Sequence, residues 1–123
     1  FERNGFRLPN GMSLSYEALS PEATGGFSYM SRGKKEYTYG GRITENLIQA
    51  LSRIVITDSM LRLQKKIDGR VALTVHDEVI IIAANTNPDA TMNTIIDDLC
   101  IAPEWAPDLP LAAEGGYDTV YSK

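Results

Sequence analysis

From Arg42 to Lys66 the chain contains neither glycine nor proline, and the stretch is bounded by Gly40-Gly41 on one side and Gly69 on the other. Ile43, Leu47, Leu51, Ile54 and Leu61 recur within it at helical spacing, and Lys65 and Lys66 place cations where a helix C-terminus favours them. The pattern predicts one uninterrupted helix. About 25 residues rising 1.5 Å each span roughly 37 Å, enough to cross a small domain. A chain of 123 residues has room for one such domain, residues 1–123, which this helix is expected to cross.

Those segments divide cleanly. Residues 1–40 are rich in Gly, Ser, Tyr and Pro, with short candidate strands at 12–16, 27–30 and 36–39 and a strong turn signal at Pro9-Asn10-Gly11. They read as an irregular antiparallel meander. After the helix, two apolar β-branched runs flank His76-Asp77-Glu78, the signature of a hairpin with polar residues at its tip. A turn at Asn85-Thr86-Asn87-Pro88 leads to a second helix over 89–99, with Met92, Ile95, Ile96 and Leu99 on one face. The tail carries Pro103, Pro107 and Pro110 and is expected to be extended, with one short strand at 109–113. Strands paired locally beside two helices predict an α+β fold: a small antiparallel sheet, one long helix and one shorter.

Composition narrows the function classes. With 43% hydrophobic and 23% charged residues the chain is ordinary for a globular protein. Its one cysteine, Cys100, excludes an internal disulfide, and no Cys/His spacing suits zinc. A reducing cytoplasm is the expected setting, with no membrane partner, since no apolar run approaches the length of a membrane span. The net charge of −4 conceals an asymmetry. Residues 1–70 hold eleven Lys/Arg against seven Asp/Glu, whereas residues 71–123 hold one Lys against nine acids. A basic half beside an acidic half suits a polyanion-binding surface next to a cation site; solvated charge scattered without function fits the same numbers.

Two groups of residues carry possible chemistry. Asp77, held at a hairpin turn yet exposed, is a hard oxygen donor of the kind magnesium takes, with substrate phosphates and water completing the shell. Glu78 is adjacent, and His76 could contact phosphate or orient Asp77. A polar turn that merely closes the hairpin accounts for the same residues. On the long helix Arg42, Asn46, Gln49 and Arg53 fall on one face, where amides could reach minor-groove acceptors and arginines could reach phosphates. A solvated helix face is the alternative. Neither the P-loop nor the dinucleotide fingerprint is present, and Cys100 lies in an apolar, acidic stretch unsuited to nucleophilic work.

Taken together, three segments resemble the C-terminal part of family A DNA polymerases, the group of bacterial polymerase I and phage replicative enzymes. Thr74-Val75-His76-Asp77-Glu78-Val79 resembles motif C, the palm hairpin of that family. The segment from Tyr39 to Ala50, Tyr-Gly-Gly-Arg-Ile-Thr-Glu-Asn-Leu-Ile-Gln-Ala, resembles the helix preceding motif C in phage members. Trp105-Ala106-Pro107-Asp108-Leu109-Pro110-Leu111-Ala112-Ala113-Glu114-Gly115 resembles their C-terminal end.

The resemblance implies roles. Asp77 would bind the catalytic magnesium ions, Glu78 would lie near the primer terminus, and His76 would contact the primer end. Gln49 would touch duplex DNA through the minor groove. Asn46 departs from the polymerase I pattern, lying three residues before the glutamine rather than four, with Glu45 in the other place. Arg42 and Arg53 are inferred from helical position alone. Motifs A and B, which supply the second metal-binding aspartate and the nucleotide-binding fingers helix, have no counterpart in the sequence. The expected whole is a partial palm that works with primer-template DNA, deoxynucleoside triphosphates and two magnesium ions only when upstream polymerase segments are supplied, and that self-associates without them. A noncatalytic DNA-binding or assembly module that retains the palm surface is the alternative.

Overall fold

The computed structural model describes residues 4–121. The fold is α+β. Its elements run β1 (Gly5–Arg7), β2 (Ser13–Ser15), β3 (Glu17–Pro21), β4 (Phe27–Ser31), β5 (Lys34–Thr38), α1 (Gly40–Lys66), β6 (Gly69–Val75), β7 (Glu78–Ala83) and α2 (Pro88–Leu99). All strand pairing is antiparallel and local, divided among three small sheets: β1-β2, β3-β4-β5 and β6-β7. Contacts group the chain into two compact units, Phe1–Ile54 and Val55–Lys123, with α1 beginning in the first and ending in the second.

In the first unit the turns dictate the meander. Pro9-Asn10-Gly11 closes β1 onto β2: Gly11 N–H donates to the Leu8 carbonyl at 2.9 Å, the Asn10 side chain accepts from Met12 N–H at 3.1 Å, and Gly11 takes φ +85°. Between β4 and β5 the loop residues Arg32 and Gly33 both have positive φ, +49° and +75°, the pattern of the tight hairpin turn that matches strand twist. Strands β1 and β3 escape the sequence pattern. Strand β1 is three residues long, and β3 is polar, ends in Pro21 and breaks register between Glu17 and Ser20, where Ala18 takes φ +53°. A bulge of this kind erases the two-residue alternation by which strands are recognised. Leu8, Tyr16, Ile43 and Ile54 are the buried apolar side chains here.

Helix α1 starts two residues earlier than the glycines suggest. Gly40 and Gly41 form its first turn, and a Cβ at Gly41 would lie 2.9 Å from the Tyr39 ring. The second glycine therefore lets Tyr39 lie against the backbone. Farther along, the expected stripe breaks: Leu61 is 61% exposed, whereas Ser59 and Leu63, four residues apart, are the buried positions.

In the second unit, Gln64 near the helix end docks the following strand. Its amide donates to the Gly69 carbonyl at 3.1 Å and accepts from Val71 N–H at 3.0 Å, so helix and β6 are joined across a tight connection. Gly69 sits so close to β7 that a Cβ would meet Ala83 Cα at 2.7 Å and strike the Ile82 carbonyl. Helix α2 is capped as its sequence predicts, with Pro88 in its first turn and the Asn87 side chain accepting from Ala90 N–H at 3.2 Å. The strand expected at 109–113 does not form. Instead Ala106 N–H bonds to Pro103 and Leu109 N–H to Ala106, a run of turns in a tail whose prolines lack the donors a ladder needs.

Candidate functional site

Strands β6 and β7 pair from Gly69↔Ala83 to Val75↔Glu78, leaving His76 and Asp77 as the whole of a two-residue loop. His76 takes φ +54° and Asp77 does not have positive φ. That is the φ pattern of a turn whose first position glycine ordinarily fills. A histidine held there stores local strain, of order 1–3 kcal/mol when nothing relieves it. Lower in the hairpin the register shifts between Val71 and Leu73, so Ala72 is an extra residue that bends and twists β6 toward the tip.

His76, Asp77 and Glu78 are all exposed. Glu78 opens β7 opposite Val75, and its Oε2 accepts from the Tyr121 hydroxyl at 3.2 Å. A second tail tyrosine, Tyr117, donates to Asp89 at the start of α2 at 2.8 Å. That hydrogen bond to a carboxylate raises the Tyr117 phenol above its ordinary pKa, with the Asp89 charge acting in the same direction. The two tyrosines, four residues apart, bring the tail to the hairpin tip and to α2. Nothing in the sequence beyond their spacing points to this. Among the described residues no three His, Cys, Asp or Glu side chains come together as a group able to hold a metal ion. Asp77 and Glu78 are exposed carboxylates, hard oxygen donors by their chemistry.

The helix residues lie in the first unit. Arg42, Asn46, Gln49 and Arg53 are all exposed. Their amides are not idle: Asn46 Nδ2 donates to the Tyr16 hydroxyl at 2.9 Å, and Gln49 Nε2 donates to Glu45 Oε1 at 3.2 Å. Glu45 is therefore the residue that steadies the glutamine. Asn46 and Gln49 both line an open cleft of about 470 Å³ together with Leu14, Tyr16, Tyr29 and Ala50. Tyr16 and Glu45 were not singled out by sequence. The i, i+4 spacing of Glu45 and Gln49 was available as a signal, whereas the Tyr16 contact spans thirty residues.

A further acid escaped sequence reading. Asp98 on α2 has a side chain only 1% exposed, and it accepts from Arg62 Nε at 3.0 Å and Lys66 Nζ at 2.6 Å. Arg62 also donates to the Asp98 carbonyl at 3.0 Å and to Ser59 Oγ at 2.9 Å. This network ties α2 to α1. Cys100 is a half-buried residue capping the end of α2.

Over 128 aligned residues the chain is 28% identical to a protein named DNA polymerase from Bacillus phage SP02, an alignment that takes in 95% of this chain and 19% of that protein. The chain is related to a DNA polymerase. It spans about a fifth of the length of this curated relative. No protein-family model matches it, and no solved structure does. Among the described residues of this polymerase relative no helix is long and apolar enough to cross a membrane.

Proposed function

We propose that this chain is part of a DNA-directed DNA polymerase of family A and that β6-β7 is its motif C palm hairpin. The observation that carries the reading is the loop itself. Of the three residues to which the resemblance gives roles, His76 and Asp77 are the two residues of the turn and Glu78 follows them in β7, with His76 in a conformation that stability alone would not choose. The similarity to the phage polymerase along 95% of the chain supports the DNA polymerase part of the reading.

In this reading Asp77 is a metal-binding carboxylate, Glu78 the acid beside the primer terminus and His76 the contact to the primer end. Magnesium, when bound, would supply Lewis-acid stabilisation of the phosphoryl oxygens. Asp77 contributes one of the required carboxylates and a longer polymerase chain contributes the rest, so the 123-residue chain alone does not polymerise. Gln49 and Asn46 approach the minor groove of primer-template DNA, and Arg42 and Arg53 approach its phosphates. On the hairpin, cross-strand pairing puts Leu73, Ile80 and Ile82 on one side, and Leu73 and Ile82 are 50% and 56% exposed. That side, on which Arg70 opposite Ile82 and Glu78 near the tip flank the apolar residues, is the surface that further polymerase segments would cover.

Exchange of this chain for the matching fifth of the phage SP02 polymerase tests the reading. The chimera should incorporate labelled nucleotide on primer-template DNA, and Asp77→Ala should reduce incorporation by about a hundredfold or more, the several kcal/mol of lost metal-ion stabilisation. An active chimera indifferent to Asp77→Ala would overturn it, as would incorporation by the isolated chain.

A further inference from the structure

We infer that Tyr16 is a positioning residue for duplex DNA: its hydroxyl holds the Asn46 amide in the orientation that meets the minor-groove edge. The inference rests on the DNA-binding reading of α1 above and adds to it a residue from outside the helix.

The Tyr16 hydroxyl is a fixed point. The residue is 4% exposed. Its ring packs edge-on against Phe6, with centroids 6.1 Å apart, and against Tyr29, with centroids 5.1 Å apart. Its backbone N–H donates to the Asn4 carbonyl at 2.8 Å. A buried phenol normally finds a partner for its hydroxyl, and here the partner is the side chain of an exposed helix residue, Asn46, at 2.9 Å. Asn46 is thereby tethered from below. The tether engages one of its two amide hydrogens and leaves the second available to donate.

Tethering matters because an exposed amide would otherwise lose rotamer freedom on binding. Gln49 is restrained in the same way by Glu45, and both amides line one cleft whose walls include the Tyr29 ring and Ala50. A cleft lined by Leu14, Tyr29 and Ala50, by Ser15 and Ser31, and by two fixed amides offers apolar contact to deoxyribose C–H faces and donors to the N3 and O2 acceptors common to all base pairs. Arg42 lies four residues before Asn46 and Arg53 four after Gln49, on the same exposed face, where phosphates flank such an edge.

Binding of the full chain to a short mixed-sequence DNA duplex, followed by fluorescence anisotropy at low salt, tests this. Tyr16→Phe keeps the ring and deletes only the hydroxyl. It should weaken binding about three- to tenfold, the worth of one hydrogen bond. Asn46→Ala, at an exposed position, should weaken it similarly, and the double variant should be no weaker than Asn46→Ala alone, because the hydroxyl acts only through the amide. Duplexes built with deazapurine analogues that lack the N3 acceptor should weaken the wild type more than Asn46→Ala, which keeps only the Gln49 amide to read that edge. Additive effects of the two substitutions, or equal binding by wild type and Tyr16→Phe, would overturn the inference while leaving the DNA-binding reading intact. Absence of duplex binding by the wild-type chain would overturn both.

Discussion

His76 is the residue at which local preference and proposed role pull apart. At φ +54° a β-branched side chain is a steric outlier, whereas glycine or asparagine fits without strain. In urea unfolding His76→Val should therefore cost about 1–3 kcal/mol, and His76→Gly should leave the midpoint unchanged or raise it. An equal loss for both variants would mean that the histidine side chain itself stabilises the turn. The sequence reading located His76 and Asp77 at the hairpin tip because β-branched runs on either side leave only the polar residues for the turn. It did not reveal Tyr16 beneath Asn46. A tyrosine flanking a short strand carries no local mark of a partner thirty residues away.

Among the elements, α1 and α2 depend on a buried charge. Asp98 is enclosed, whereas Arg62 and Lys66 retain 33% and 48% of their side-chain exposure. Removing Arg62 leaves the carboxylate with Lys66 alone and strips the Asp98 carbonyl and Ser59 Oγ of their donor, so Arg62→Leu should destabilise by about 2–3 kcal/mol, below the range for a wholly buried pair because the guanidinium is partly solvated. Lys66→Met should cost about 1 kcal/mol or less. Adding Asp98→Leu to Arg62→Leu should recover part of the loss by removing the orphaned acid, measurable by chemical denaturation. In the β3-β4-β5 sheet, Lys35 Nζ lies 2.7 Å from Glu22 Oε1. The hydrogen bond to Lys35 lowers the Glu22 pKa below its ordinary 4.5, and the same bond raises Lys35 above its ordinary 10.5. A lowered acid contributes stability above its unfolded pKa and loses it as pH falls; a raised base contributes below its unfolded pKa and loses it as pH rises. The melting-temperature difference between wild type and Lys35→Met should thus be flat between those limits. It should shrink as pH falls below 4.5 or rises above 10.5. A difference unchanged in acid would show that the pair contributes nothing.

For the whole molecule, the apolar hairpin face of Leu73, Ile80 and Ile82 implies self-association when no longer polymerase chain covers it. Light scattering should show mass rising with protein concentration, and Leu73→Lys with Ile82→Lys should suppress the rise; a monomer at every concentration would count against the covered-face reading. The sequence by itself determined both helices, the β6-β7 hairpin with His76 and Asp77 at its tip, and the α+β class, because these rest on periodicity, turn chemistry and caps that act over a few residues. Tertiary structure alone decided that α1 serves two compact units, so that its buried positions pass from Ile43 and Ile54 to Ser59 and Leu63 and leave Leu61 in solvent. It also decided that Asp98 is enclosed by cations and that Asn46 rests on Tyr16. Those outcomes depend on which surfaces meet across the fold, a property that no local pattern of residues encodes.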